Sequence, residues 1–245
     1  MNIWIIGASH GIGASLAEKL SNEGHNLAIS ARSHNQLQVV LNSLKPADHI
    51  LLPLDVTDFT LVKKSFALIM EKWGRIDLFI YGSAIYKPMK STAIDVDLAM
   101  KTMQVNFNSL IYFLSLIIPQ MIKQKSGHIA MISSVAGYRG LPKSLIYGAS
   151  KAAMINLAES LFIELKPENI NVSVINPGFV KTRLTDQNDF KMPFLIDANQ
   201  AASFIIKGLK AKKFEIHFPG KFTYIMKFLR IIPNWLFFKI SSKLN

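Results

Sequence analysis

Apolar and polar positions along this chain alternate between two rhythms. Short β-branched runs at Asn2–Ile6, Asn26–Ser30, Ile50–Leu54, Leu78–Tyr81, His128–Ser133, Asn171–Asn176 and Phe214–Phe218 read as buried strands. Between them lie longer segments with helical spacing, among them Ala14–Glu23, Leu61–Lys72, Val96–Lys123, Tyr147–Lys166 and Ala198–Lys210. Strand and helix in strict alternation imply crossover connections. The expected fold is a single doubly wound α/β domain, with a mostly parallel seven-stranded sheet and helices on both faces. No repeat, low-complexity tract or linker divides the first 218 residues. Residues 1–220 therefore read as one domain and residues 221–245 as an appended helical tail.

Half of the 245 residues are apolar and 18% are charged, enough for a sizeable core. There is no cysteine, which excludes disulfides, thiolate metal sites, iron–sulfur clusters and a thiol nucleophile, and suits a reducing cytoplasm. No metal site is expected. The opening MNIWIIGASHGIG has no basic segment before its apolar run and reads as a strand rather than a secretory signal. Thr102–Ile122 holds no charged residue, but Gln104, Asn106, Asn108, Ser109, Ser115, Pro119 and Gln120 interrupt it. A helix buried against a sheet or a second subunit fits it better than a membrane span. The net charge of +12 is uneven. Residues 207–245 carry nine Lys/Arg and one acid (+8), leaving nineteen against fifteen (+4) elsewhere. A basic tail, rather than a nucleic-acid face, is the reading.

The first strand runs into Gly7-Ala8-Ser9-His10-Gly11-Ile12-Gly13, and a helix follows. Glycines at such a turn let backbone approach a pyrophosphate at a helix N-terminus, as in a Rossmann-type nucleotide site. At the end of the second strand stands Arg32, with no acid nearby. A cation there suits a ribose 2′-phosphate, with His10 in support, so NADPH is expected over NADH. Asp55-Val56 follows the third strand. Asp55 either receives the adenine amino group or caps the next helix, a role also open to Thr57 and Asp58.

Tyr147 and Lys151 stand four residues apart on one helix face. An unperturbed phenol titrates near 10 and moves protons poorly at neutral pH; a neighbouring ammonium lowers that value, making the pair a candidate proton donor. Tyr86 and Lys90 repeat the spacing, but Pro88 stands between them and breaks any helix. Tyr147 also has an upstream partner. Ser133-Ser134 closes the fifth strand at the carboxyl edge of the sheet, where Ser134 is placed to hydrogen-bond a substrate oxygen.

Taken in order, Gly7-x-x-x-Gly11-x-Gly13, Asp55-Val56, Asn106, Ser134, Tyr147-x-x-x-Lys151 and Asn176-Pro177-Gly178 followed by Thr182 resemble the short-chain dehydrogenase/reductase family over roughly residues 1–218. The resemblance implies that Ser134 positions a carbonyl, Tyr147 is the general acid/base, and Lys151 binds nicotinamide ribose while tuning Tyr147. It implies a relay water at Asn106, and a nicotinamide carboxamide held by Pro177, Gly178 and Thr182. Ser9, Ile12, Ser83, Ala84 and Val180 complete the expected cofactor lining. The chain departs from the family in having Ile6 before the first glycine and Tyr81-Gly82-Ser83-Ala84 after the fourth strand, changes that bear on cofactor affinity rather than on the reaction. The resulting expectation is hydride transfer between NADPH and a ketone or aldehyde, by a homodimer or homotetramer. NAD-linked alcohol oxidation and a non-catalytic nucleotide-sensing scaffold stay open.

In the tail, Thr223, Lys227, Arg230 and Asn234 recur at spacings of four, three and four, and apolar or aromatic residues cover the remainder. With basic flanks, this pattern suits a helix lying at a membrane surface, and equally a cover over the substrate pocket or a subunit contact. Met192, Phe194 and Leu195 are expected to form an apolar substrate wall. The substrate is expected to be a lipophilic carbonyl or alcohol, and the protein cytoplasmic and peripheral to the membrane.

Overall fold

A computed structural model describes residues 1–242. Lys243, counted with the tail, lies outside the described residues. The seven strands are β1 (Asn2–Ile6), β2 (Asn26–Ala31), β3 (Ile50–Pro53), β4 (Leu78–Tyr81), β5 (Gly127–Ile132), β6 (Ile170–Pro177) and β7 (Glu215–Phe218). Every neighbouring pair is parallel, in the order β3-β2-β1-β4-β5-β6-β7. The chain thus winds outward in one direction from β1 and, after crossing over to β4, in the other.

Alternation along the strands divides the core. Ile3, Ile5, Ile29 and Ile80 face the layer built by α1 (Gly11–Asn22), α2 (His34–Ser43) and α7 (Ala198–Lys210), whose Leu16, Leu20, Leu37 and Ile205 are buried there. Trp4, Phe79 and Tyr81 face the opposite layer of α3 (Phe59–Trp73), α5 (Ser109–Gln124) and α6 (Leu145–Leu165). In that layer the rings of Trp4, Phe79, Tyr81 and Phe113 pack together at centroid distances of 5.2–6.4 Å.

Sequence periodicity leaves out α2. Only Leu37 and Val40 of this His/Asn/Gln-rich helix are buried, too little apolar surface to mark a face; Ser33 caps it through the amide of Gln36. The segment expected as a single helix from Val96 is continuous to Gln124, but it comprises α4 (Val96–Met103), a π-turn over Gln104–Asn108, and α5. Its length and composition would allow a membrane span. Yet Leu110, Phe113, Leu114, Ile117 and Met121 are buried in the core of this fold. The unusual Tyr81 belongs to the same construction: its hydroxyl donates to the Val105 carbonyl at 2.6 Å and meets Ser109 Oγ at 2.6 Å. A π-turn disturbs the regular carbonyl-to-amide ladder, and the phenol of Tyr81 satisfies a carbonyl within it. After β7 the chain forms α8 (Gly220–Ile231) and α9 (Asn234–Ser241).

Candidate active site

β1 and β4 are neighbours from which the chain departs in opposite directions, and ligands in open α/β sheets bind at such a point, beyond the carboxyl ends of the strands. A cleft of about 880 Å³ opens there. Every residue expected to contact the cofactor lines it, from Gly7 and Ser9 at the first turn to Val180 and Thr182 after β6. The turn itself is tight. A Cβ on Gly13 would lie 2.1 Å from the Gly7 carbonyl oxygen, so a side chain there would prevent α1 from closing on β1. His10, at the N-cap of α1, makes no side-chain cap; its Nδ1 instead lies 2.9 Å from Ser9 Oγ. The first amides of α1 therefore face the cleft with no capping side chain, a cradle suited to a pyrophosphate.

Besides Lys151, the cleft carries three cations. Arg32 was anticipated; Lys101 and Arg183 were not. Burial and the positive charge of Arg183 both hold His10 below its usual pKa. The alternatives for Asp55 separate here. Asp58 caps α3, accepting from the amides of Thr60 and Leu61 at 2.8 and 3.1 Å, while Asp55 Oδ1 accepts from the Thr57 amide (2.9 Å) and hydroxyl (2.7 Å). Asp55 thus shapes the loop after β3 at the cleft wall rather than capping the helix.

Ser134, Tyr147 and Lys151 line the same cleft. β5 stops at Ile132, so Ser133 and Ser134 leave the sheet at its carboxyl edge. Ser133 Oγ donates to the Lys151 carbonyl at 2.8 Å, fixing α6 against β5, and Ser134 Oγ accepts from the Ala136 amide at 3.1 Å. Lys151 is almost fully buried, and its Nζ donates to the Ile132 carbonyl at 2.8 Å. Burial lowers its pKa to about 7. Burial also pushes the Tyr147 phenol up to about 12, against a hydrogen-bonding influence of Ser134 that pulls it down. The lowering expected from Lys151 is not what this geometry produces. Its ammonium lies over the Tyr147 ring, 5.6 Å from the centroid, with its hydrogen bond directed at Ile132.

Asn106 stands behind the cleft, inside the π-turn. Its Oδ1 accepts from the Ile85 amide at 2.8 Å, and its Nδ2 donates to the Ile85 carbonyl at 3.0 Å and to Ser150 Oγ at 3.2 Å. It pins the segment after β4 to α6. Tyr86, whose spacing to Lys90 is interrupted by Pro88, lies against Tyr147 edge-to-face with centroids 4.8 Å apart. Its hydroxyl donates to Asn188 Oδ1 at 2.9 Å. Met192, Phe194 and Leu195 are not in the cleft lining. Phe194 instead joins Phe179 and Phe222 in an aromatic group beside Gly178, where a Cβ would meet the Phe222 ring at 2.7 Å. Asn176, before the Pro177-Gly178 turn, donates to Glu215 Oε1 at 2.9 Å. The same carboxylate receives Tyr138 and Lys227, each at 2.5 Å.

The short chain dehydrogenase family profile matches residues 1–192. A Myxococcus xanthus protein described as an uncharacterized oxidoreductase is 30% identical over 243 residues, covering 98% of this chain and 96% of its own. A solved short-chain dehydrogenase from Sphingobium yanoikuyae in complex with NADPH superposes with a TM-score of 0.83 at 21% identity, over 95% of this chain and 96% of its own. One from Burkholderia phymatum in complex with NAD gives 0.85 at 21% identity, over 92% and 91%. Fold, cleft and sequence likeness agree: the chain belongs to the short-chain dehydrogenase family and is an oxidoreductase of that family.

Proposed function

We propose that this protein reduces a lipophilic ketone or aldehyde with NADPH. The observation that carries this reading is the meeting of Ser134, Tyr147 and Lys151 at one end of the cleft whose other end holds the glycine turn and Arg32. When bound, the dihydronicotinamide supplies the hydride. The amides of α1 and the Gly7–Gly13 turn would hold its pyrophosphate, Asp55 and Val56 the adenine end, Ser83 and Ala84 the adenosine ribose, and Pro177, Gly178, Val180 and Thr182 the nicotinamide.

Ser134 donates a hydrogen bond to the substrate carbonyl oxygen and keeps its proton, fixing the orientation of the carbonyl and stabilising negative charge as it grows there. Tyr147, held protonated across neutral pH by its raised pKa of about 12, gives its phenolic proton to that oxygen. The phenolate left behind regains its proton from solvent, and Lys151, with its ammonium 5.6 Å from the ring centroid, is the nearest cation to it in the meantime. The fixed donors act in a partly water-excluded site, where each is worth more than in bulk solvent.

Arg32 supports NADPH over NADH, because the end of β2 presents a cation and no acid to the ribose 2′ position. The protein is read as cytoplasmic, and as a homodimer or homotetramer paired through α5 and α6, where Ile111 and Ile163 are exposed.

A fluorescence titration of the purified protein with NADPH and NADH tests the reading first. NADPH should bind more tightly. Arg32→Asp should reverse the preference by roughly 10–100-fold, the equivalent of one charge-assisted hydrogen bond lost. Tighter NADH binding by the wild type would favour alcohol oxidation, and binding of neither a non-catalytic scaffold.

A further inference from the structure

Helices α8 and α9 are fastened to the domain through their polar stripe, buried at Thr223, half-buried at Lys227 and exposed at Arg230 and Asn234. Thr223 is fully buried, with its hydroxyl 2.7 Å from His217 Nδ1. Lys227 pairs with Glu215 at 2.5 Å, and Arg230 approaches Glu159 at 3.8 Å. Asn234 Oδ1 accepts from Arg139. Arg139 also donates to the Leu229 and Ile232 carbonyls, at 2.6 and 2.7 Å, and stacks over the Phe237 ring at 4.0 Å. It therefore caps α8 and fastens α9 with one side chain.

The stripe one residue further on keeps the same spacing of four, three and four, and it is exposed. Tyr224 is 65% exposed, Phe228 59%, Ile231 78% and Trp235 67%, with Ile225 and Phe238 beside them. Water gives no reason to anchor a helix by its polar face and leave its aromatic face wet.

Charge decides what covers that face. The exposed cations Lys221, Arg230 and Lys239 flank it, and the one acid in residues 207–245, Glu215, is already paired with Lys227. Residues 221–245 carry five Lys/Arg and no acid, so a second copy docking there would set like charge against like, an unfavourable juxtaposition. An anionic lipid surface complements both features: headgroup phosphates meet Lys and Arg, while Trp, Tyr and Phe enter the boundary with the acyl chains.

We propose that α8 and α9 seat this protein on an anionic bilayer through the Tyr224–Phe228–Ile231–Trp235 face. The seat adjoins the chemical end of the cleft, because Phe222 of α8 packs on Gly178 and against Phe179. An apolar substrate dissolved in the bilayer would leave it at the Gly178 wall of the cleft that Tyr147 also lines. That consequence rests on the proposed reduction, whereas the binding itself does not.

The test is co-sedimentation of the full chain with vesicles of phosphatidylcholine alone and of phosphatidylcholine mixed with phosphatidylglycerol. The protein should pellet with the phosphatidylglycerol vesicles in a salt-sensitive manner. Tryptophan emission should shift to shorter wavelength on binding, and Trp235→Phe, which keeps the buried Trp4 and the half-buried Trp73, should abolish the shift. Phe228→Ser, Ile231→Ser and Trp235→Ser together change only exposed side chains; they should cut vesicle binding at least about tenfold and leave NADPH binding intact. Lys221→Glu with Lys239→Glu should lower binding to the anionic vesicles about tenfold or more. Absence of binding to either vesicle would overturn the proposal. So would a concentration-dependent dimer without vesicle binding that the triple-serine variant dissolves, since the face would then belong to a second copy. Because vesicle binding requires no turnover, failure here is distinguishable from failure of the proposed reduction.

Discussion

Residues 147–151 and 86–90 both carry a tyrosine four residues ahead of a lysine, and the molecule uses the two segments differently. The first lies in α6, so one helical turn brings both side chains to the cleft, where burial raises the phenol and lowers the ammonium. The second is not helical: Met89 bridges to Ser144, and Lys90 points into solvent. Tyr86 reaches the reaction end all the same, with its ring against Tyr147 and its hydroxyl on Asn188. Equal spacing thus places both side chains on one cleft where a helix supplies a common face, and gives a tether between loops where Pro88 forbids one.

The sharpest way to break the comparison is Tyr147→Phe, which deletes the proton and keeps the ring packed against Tyr86. Turnover should fall by about 10²–10⁴-fold, with NADPH affinity unchanged in the same fluorescence titration. Retained turnover would move the acid elsewhere on the cleft. Lys151→Met comes next. Turnover should fall by about 10²-fold, while thermal stability rises, because a buried ammonium with one carbonyl partner costs more than an apolar side chain of similar length.

The pH dependence of that stability gain is fixed by linkage. With Lys151 lowered from 10.5 to about 7, the folded state holds fewer protons than the unfolded state between those values. Wild-type stability from this group therefore declines as pH falls from 10.5 to 7, and is level below. The gain in Tm of the methionine variant should grow over that window and then stay constant, at roughly 2–4 °C per kcal/mol of penalty removed. Thermal melts at several pH values read this directly. A gain that stays the same across that window would mean that Lys151 keeps its charge on folding. Turnover offers a smaller, parallel test: because Tyr147 sits near 12, the ratio of alcohol oxidation to carbonyl reduction should rise as pH rises from 7 to 9.

The alternation of strands and helices was legible because parallel sheets buried on both faces leave long apolar runs, and the glycine turn because close backbone approach demands glycine; that Ser134, Tyr147 and Lys151 line the same cleft agrees with the motif order read from the sequence. What stayed hidden depends on distant partners. Arg183 and Lys101 are ordinary surface cations until β6 and α4 bring them to the cleft. The π-turn imposes no side-chain period, and the tyrosine that serves it lies 24 residues upstream, in β4. The 4-3-4 polar stripe of the tail was plain in the sequence, but periodicity says only that two faces differ. That the polar one fastens the tail to the domain follows from Glu215, Arg139 and His217. Burial of Lys151 reversed a local argument in the same way, since spacing alone does not reveal that its ammonium turns to Ile132.

Tyr86→Phe sharpens the comparison most finely. It leaves the edge-to-face packing on Tyr147 and removes only the hydrogen bond to Asn188. That bond ties the loop after β4 to the segment following β6, which Lys143 also holds, through Asp189 at 2.7 Å. With this second tie intact, the loop should loosen rather than detach, so binding should suffer more than chemistry. The expected result is a KM for the carbonyl substrate raised about three- to tenfold, the effect of one neutral hydrogen bond worth about 0.5–1.5 kcal/mol, with kcat within about twofold of wild type. Lys143→Met on the same background should add to the rise in KM. A Tyr86→Phe variant that instead lost kcat at constant KM would make the Tyr86 hydroxyl a participant in proton transfer at Tyr147, and the two tyrosines would then act as one unit rather than as acid and tether.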